Sequence, residues 1–415
     1  MRMPILACTV ALATATPACG GAADMDVVFS TWFGGAEEDR LTAAAVLEDG
    51  SILVGGDAEG EGALIRLSAD GQKALSRRRT DGPVSDMAVA PDGKVLAAGG
   101  FGVVALSPDA QQILWTNPTG GKDARVAAGP NGSAVVLAEK RVTVVAAGGE
   151  ARASWTVKGG YVEDVACDAA RGRIFATGFD NKRGHRNPVQ VAFVYAYEGS
   201  GKRVWKAYGW SGTEVDDRGL MADTRGYRLA MGPDGKLYVA GESAGGNTMW
   251  SRRARDLDAR ADLVMGDKYQ HAFNTRANHI TYVGRLDPAT GASEGGTLLL
   301  ARRANNRGNT IRPRALAADA AGNVYVGGAS AYGCPVSEGA FGAAEPSGAW
   351  FCVFDQVFTR RYATAFGSGK TAAIALGPKA VIAVGEAKGG VATHEAMQTE
   401  AGGGVDGWIV VLKRK

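Results

Sequence analysis

The stretch Thr364–Gly377, TAFGSGKTAAIALG, gathers glycines, a lysine and a threonine ahead of an apolar run. A phosphate-binding loop needs G-x-x-x-x-G-K-[ST], because its backbone N–H groups must curl round the phosphates before lysine and threonine reach them. Counting back from Gly369, the leading position is Thr364, not a glycine. Near the N-terminus, STWFGGAEEDRLTAAAVLEDG repeats the same aromatic–glycine turn and small-residue run with no GKT. Lysine and threonine therefore decorate a repeated turn, and the stretch is not read as a nucleotide site.

Other reactive types are sparse. Four histidines occur, His185, His271, His279 and His394, with no H-E-x-x-H or paired-cysteine spacing that would announce a metal site. His271 and His279 lie eight apart without fixed carboxylates in the sequence beside them. There is no G-x-S-x-G elbow. Asp216 and Asp217 are adjacent, so their side chains diverge; one of them facing Glu38 or Asp39 across a cleft would make an acid–base pair. No cofactor, metal or catalytic residue is assigned.

The charges are balanced, 46 basic against 43 acidic, which points away from nucleic acid and from a membrane surface. Sixty glycines are about twice the usual share. With 46% hydrophobic residues the chain has ample core, so the glycines report turns, not disorder. The opening MRMPILACTVALATATPACGG has an arginine, an apolar stretch and then small residues, the pattern of a secretory leader over 1–18. Cleavage after Ala18 would leave Cys19 for lipidation, the one route expected to a membrane. A short linker over 19–26 follows. The protein is accordingly expected in the periplasm, at the cell surface or outside the cell, as a monomer. In such a compartment Cys334 and Cys352 are expected to bridge, while Cys167 sits in a small-residue strand as a buried thiol.

Positioning elements come from internal repetition. A small-residue strand, a glycine turn and an apolar strand recur seven times, among them AAAVLEDGSILVGG, DMAVAPDGKVLAAGG, RLAMGPDGKLYVAGE and ALAADAAGNVYVGGA. The turn glycines fall at Gly50, Gly93, Gly132, Gly172, Gly235 and Gly322, with Ala380 in the seventh copy; the first spacings, 43, 39 and 40, match a propeller blade. Each unit adds a third strand and a fourth, the fourth carrying Trp32, Trp115, Trp155 or Trp205. Four antiparallel strands per unit predict a seven-bladed all-β propeller over 27–415. The innermost strands are rich in Ala, Gly and Val because bulky groups would collide at the axis. The chain ends on a third strand, DGWIVVLKRK, and begins with an unattached fourth, VVFSTWFGG; pairing them closes the ring.

The segments FSTWFGGAEEDR, AGNVYVGGASAYGCPVSEGAFGAAEPSGAWFCVFD and THEAMQTEAGGGVDGWIVVLK resemble the bacterial β-propeller repeat family called SBBP. The match is good in blades six and seven and the N-terminal strand, weaker in blades two to five. The resemblance implies an exported propeller and no particular chemistry.

A site is expected on the face shared by the fourth-to-first and second-to-third strand connections. There Glu38, Asp39, Arg40, Asp216, Asp217, Arg218, Arg312 and Arg314 should converge near the axis. The longest connection, 243–279 in blade five, is expected to form a lid presenting Trp250, Arg252, Arg253, Tyr269 and His271, with a short helix in SRRARDLDARADLVM. Arginine forks beside aromatics suit carboxylated sugars, peptide carboxylates or acidic polysaccharides. The reading is a non-catalytic exported propeller that binds a glycan, peptide or protein on this face. The alternative is an enzyme acting on a polysaccharide or lactone through face carboxylates with Arg or His271.

Overall fold

The Asp49-Gly50 turn shows how each blade starts. Gly50 takes φ +82°, a left-handed conformation that side chains resist, and its N–H donates to the Leu47 carbonyl at 2.9 Å. The turn reverses the chain, so Arg40–Val46 pairs antiparallel with Ile52–Ala58. In the computed structural model, which describes residues 25–272 and 278–415, this hairpin recurs seven times round an axis. Each blade adds two further antiparallel strands, giving blades over 40–80, 84–117, 125–156, 161–208, 224–299, 311–367 and 370–414. The leader, Cys8, Cys19 and most of the linker lie outside the described residues, and the first strand starts at Met25, inside the expected linker.

Closure is as anticipated. Met25–Phe33 pairs antiparallel with Asp406–Arg414, setting Met25 opposite Arg414 and Trp32 opposite Trp408. This strand is the outermost of blade seven, so one sheet joins both ends of the chain and leaves no gap in the ring. Among the described residues no helix is long and apolar enough to cross a membrane.

Glycine has a second role next to the axis. Six of the seven innermost strands carry a bulge near their start, at Thr42, Ser85, Glu163, Tyr227, Arg314 and Ala372. The facing strand then comes so close that a Cβ on Gly56 or Gly328 would overlap the carbonyl oxygen of Arg40 or Arg312. The V-G-G repeat therefore permits the bulge, and a bulge re-aims the side chain it carries.

The three long second-to-third connections share one behaviour: each folds back along the outermost strand of its own blade. In blade five Leu263–Val264 adds a parallel fifth strand beside Gly296 and Thr297. In blade six Ser337 and Ala343 N–H groups donate to Ala363 and Ala365 carbonyls at 2.8 and 2.7 Å. In blade seven His394 exchanges two backbone hydrogen bonds with Ser30, at 2.8 and 2.9 Å. These connections cover edges that would otherwise offer unpaired N–H and C=O groups.

Two local expectations are corrected here. Residues 251–264 form a small ribbon, Arg252–Arg253 against Asp256–Arg260, and not a helix. Burial decides it: Trp250, Ala254 and Leu257 are anchored in the core, and Ala254 O accepts from Tyr208 N. Cys334 and Cys352 are separate, buried thiols of one core cluster, so the expected bridge is absent. Their spacing across one loop carries no information about side-chain direction.

Candidate functional site

Five of the six bulge side chains, all but Tyr227, point into one cavity of about 2470 Å³ at the axis. Its wall is made mainly of first-strand starts and second-strand ends, the face on which the long connections leave, and in blade three it extends over the third and outermost strands. Nine basic and five acidic side chains line it, an excess of cations although the whole chain is nearly neutral, with the acids Asp86, Asp164 and Glu242 outside this lining.

The deep part of the wall is an ionic lattice spanning blades two to six. Asp86 Oδ2 accepts from Val126 N at 2.9 Å, and Asp164 Oδ2 accepts from Leu229 N at 2.9 Å. Each carboxylate thus joins its own blade to the next. Burial pushes both above the usual carboxylate range, Asp164 to about 6, and the neighbouring Arg228 and Arg125 only partly offset it. Arg228 is drawn down to about 10, first by burial and then by Arg125. Its Nε donates to Arg314 O at 2.6 Å and its Nη1 to Tyr227 O at 2.7 Å. Arg125 donates Nη1 to Ser85 O at 3.2 Å, while its buried Nε has no partner among the described residues. The Arg314 guanidinium lies over the Tyr227 ring, 4.8 Å from its centroid, and no hydrogen-bond acceptor within the described residues takes it up.

Above the lattice, Glu242 collects cations from two blades. Its side chain is only 1% exposed. Oε1 accepts from Arg225 Nη1 and from Tyr227 OH at 2.8 Å; Oε2 accepts from Arg312 Nε at 2.8 Å. Arg312 Nη2 also reaches His279 Nε2 at 2.8 Å, and since arginine only donates, Nε2 is the acceptor and the proton sits on Nδ1. That Nδ1 is 3.3 Å from Glu242 Oε2, too misaligned for a hydrogen bond, so the neutral ring offers the carboxylate only its N–H dipole. Burial alone would raise the Glu242 pKa; His279, Arg312 and Tyr227 outweigh it and hold it at about 2. Blade seven repeats the scheme, with Glu386 between Lys370 of its own blade and Arg40 of blade one, both at 3.3 Å.

The rim carries one aromatic platform. Tyr161, 49% exposed, stacks on Phe179 at 4.6 Å between centroids with planes 15° apart, and Arg225 lies over the other ring of the pair at 5.4 Å.

Of the residues expected to converge, Arg40, Arg312 and Arg314 reach the cavity. Asp39 is fully buried, accepting from Gly35 N at 2.6 Å and from Glu59 N, and Glu38 pairs with Arg40. Asp216 and Asp217 end a short capped helix, Gly212–Asp216, and both bind His185, through its N–H and its Nε2, at 2.7 Å. Arg218 forks onto Asp258 at 2.7 and 3.0 Å. The expected lid is instead a strap on blade five. Trp250 is fully buried, stacked on Tyr282 at 4.3 Å, because its indole fills the gap left beside Tyr208. Arg252 donates to Asp258 O at 3.1 Å, Arg253 faces Asp262 at 3.9 Å, and Tyr269 lies beneath Arg360. His271 O accepts from Arg302 at 3.0 Å. The expected acid–base pair across the cavity does not form.

Arg125, Arg228, Glu242, His279 and Tyr161 escaped the sequence reading. For Arg125 and Arg228 the signal was a charged residue inside a small-residue innermost strand, as in TRGYRLAM. Among the described residues no group of three or more His, Cys, Asp or Glu side chains is placed to hold a metal ion.

A sequence-family profile described as a domain of unknown function (DUF5122) beta-propeller matches residues 47–73, part of blade one. No curated protein matches the chain. Among solved structures, hydrazine synthase of Kuenenia stuttgartiensis aligns at TM-score 0.54 with 14% identity, over 84% of this chain and 93% of that one. BamB from Moraxella catarrhalis aligns at TM-score 0.42 with 11% identity, over 90% of this chain and 86% of that one. At such identity the first likeness speaks for a common fold alone.

Proposed function

We propose that the chain is an exported, non-catalytic binding propeller that takes an anionic ligand at the mouth of its axial cavity. The leader-like 1–18 segment and the SBBP-like motifs support export. One observation carries the binding reading: Arg314 is held over the Tyr227 ring by a bulge, facing the cavity, with no acceptor for its guanidinium among the described residues. The nearby carboxylates are already committed, Asp86 and Asp164 to backbone N–H groups and Glu242 to three cationic or hydroxyl donors. A guanidinium with spare donors in a cavity lined by an excess of cations is suited to a carboxylate or other oxyanion.

Thermal unfolding with citrate, phosphate and sulfate tests this in the wild type and in Arg314→Met, which keeps an apolar stem without the charge. At least one anion should raise the wild-type Tm clearly more than that of the variant. Equal shifts in both would reveal general salt exclusion and sink the reading.

A further inference from the structure

The axial cavity is not a round well. Its lining runs from Arg314 at the axis, past Tyr161, to Ala151, Ser154 and Thr156 on Ala151–Thr156, the outermost strand of blade three. Three inter-strand steps of about 4.8 Å separate the innermost from the outermost strand, so the groove extends roughly 14 Å away from the axis. That shape fits a segment of an extended chain better than a single small molecule.

We propose that the groove binds an acidic polysaccharide, with a sugar ring on Tyr161 and uronate carboxylates on the flanking cations. The proposal rests on the cavity mouth being a binding site, and it adds the class of ligand. Three observations favour a glycan. First, Tyr161 presents one exposed flat face while Phe179 backs the other, and Arg225 clamps Phe179 in turn. A ring fixed in this way loses little freedom when a pyranose lies on it, and its apolar face matches the axial C–H groups of the sugar. Second, cations recur along the groove: Lys140 and Arg141 at the blade-three turn, then Arg314 at the axis. A polymer with one carboxylate per ring carries charges for such cations, and arginine donates bidentately to carboxylates, while Glu139 and Glu163 in the same lining leave the cations as the polymer's anchors. Third, Ser154 and Thr156 put hydroxyls on the outer floor, where a saccharide has hydroxyls to pair. An acidic peptide matches the cations, but it has no planar apolar face to bring to Tyr161 at each repeat.

Titration calorimetry of the full chain with tetragalacturonate, its neutral counterpart tetragalactose and a poly-glutamate peptide tests the assignment. Tetragalacturonate should bind, and tetragalactose at least tenfold more weakly. Tyr161→Ala should weaken tetragalacturonate at least tenfold, whereas Tyr161→Phe, which keeps the face, should bind within about twofold of wild type. Because Tyr161 is half exposed, neither change threatens the fold, and unchanged Tm values would verify that. No binding of tetragalacturonate, binding unaffected by Tyr161→Ala, or tighter binding of poly-glutamate overturns the glycan assignment. If citrate still stabilises the wild type over Arg314→Met in those cases, the anion site stands and only the glycan is lost. If citrate fails too, both readings fall.

Discussion

Arg312 and Glu242 lie on neighbouring blades, with Nε and Oε2 2.8 Å apart and the carboxylate shut off from water. The pairing crosses a blade boundary. Arg40, Arg225 and Lys370 each face an acidic partner on the second strand of their own blade, Asp57, Glu242 and Glu386. Arg312 faces Ala329 instead and pairs with the acid of blade five. The same reach across a blade boundary links Arg40 to Glu386. Cation and carboxylate therefore staple blades in the layer that borders the cavity.

Glu242 should make stability depend on acid. Its folded pKa, about 2, lies below the ordinary 4.5, so ionised Glu242 favours the folded state. That contribution is complete above pH 4.5 and disappears as pH falls toward 2. Denaturant unfolding across pH 2.5–7 should show Glu242→Gln less stable than wild type at neutral pH, with the gap narrowing toward the acid end. A gap that stays constant with pH would contradict the ionic role.

Trp250 should behave as core and not as a ligand contact. Its indole stacks on Tyr282 and donates Nε1 to Glu242 O at 2.9 Å, so it also fixes the backbone of the residue that Arg312 binds. Trp250→Ala should cost about 3–5 kcal/mol. Arg253→Ala, at an exposed and distant ion pair, should change stability by no more than about 0.5 kcal/mol. Equal effects in chemical denaturation would mean that the strap does not pack as described.

The three described cysteines should be inert in the folded protein. Burial pushes the Cys167 and Cys334 thiols up to about 12, and Cys352 is raised further by its full burial. Thiolate is the reactive form, so iodoacetamide at pH 8 should leave all three unlabelled until denaturant is added. Rapid labelling of Cys334 under native conditions would refute the packing around it.

The fold was legible because its signal was repeated: seven like turns, six of them with glycine and the first four at blade-length spacing, and end strands that each lacked a neighbour. The site was far less so. Loop arginines were the natural candidates, yet Arg218, Arg252 and Arg253 spend their charge on local partners. Arg125, Arg228 and Glu242 stand inside strands, and only the radial arrangement of blades reveals that they meet. Trp250 was read as exposed because its partners, Tyr208 and Tyr282, lie more than thirty residues away on either side. Contacts of that range leave no trace in local pattern.

The glycines beside the bulges offer the most direct link from sequence to site. A Cβ on Gly328 would strike the carbonyl oxygen of Arg312 and crowd Arg314 N, so Gly328→Ala must open the first hairpin of blade six where the bulge turns Arg314 to the cavity. Backbone atoms cannot yield as the end of a side chain can, so the cost should reach about 2–3 kcal/mol or more. Gly404, with open space where its Cβ would lie, supplies the control. Gly404→Ala should unfold like wild type and keep any citrate-induced rise in Tm, while Gly328→Ala should lose both stability and that rise. If Gly328→Ala is as stable as Gly404→Ala and still responds to citrate, the bulge does not set the direction of Arg314.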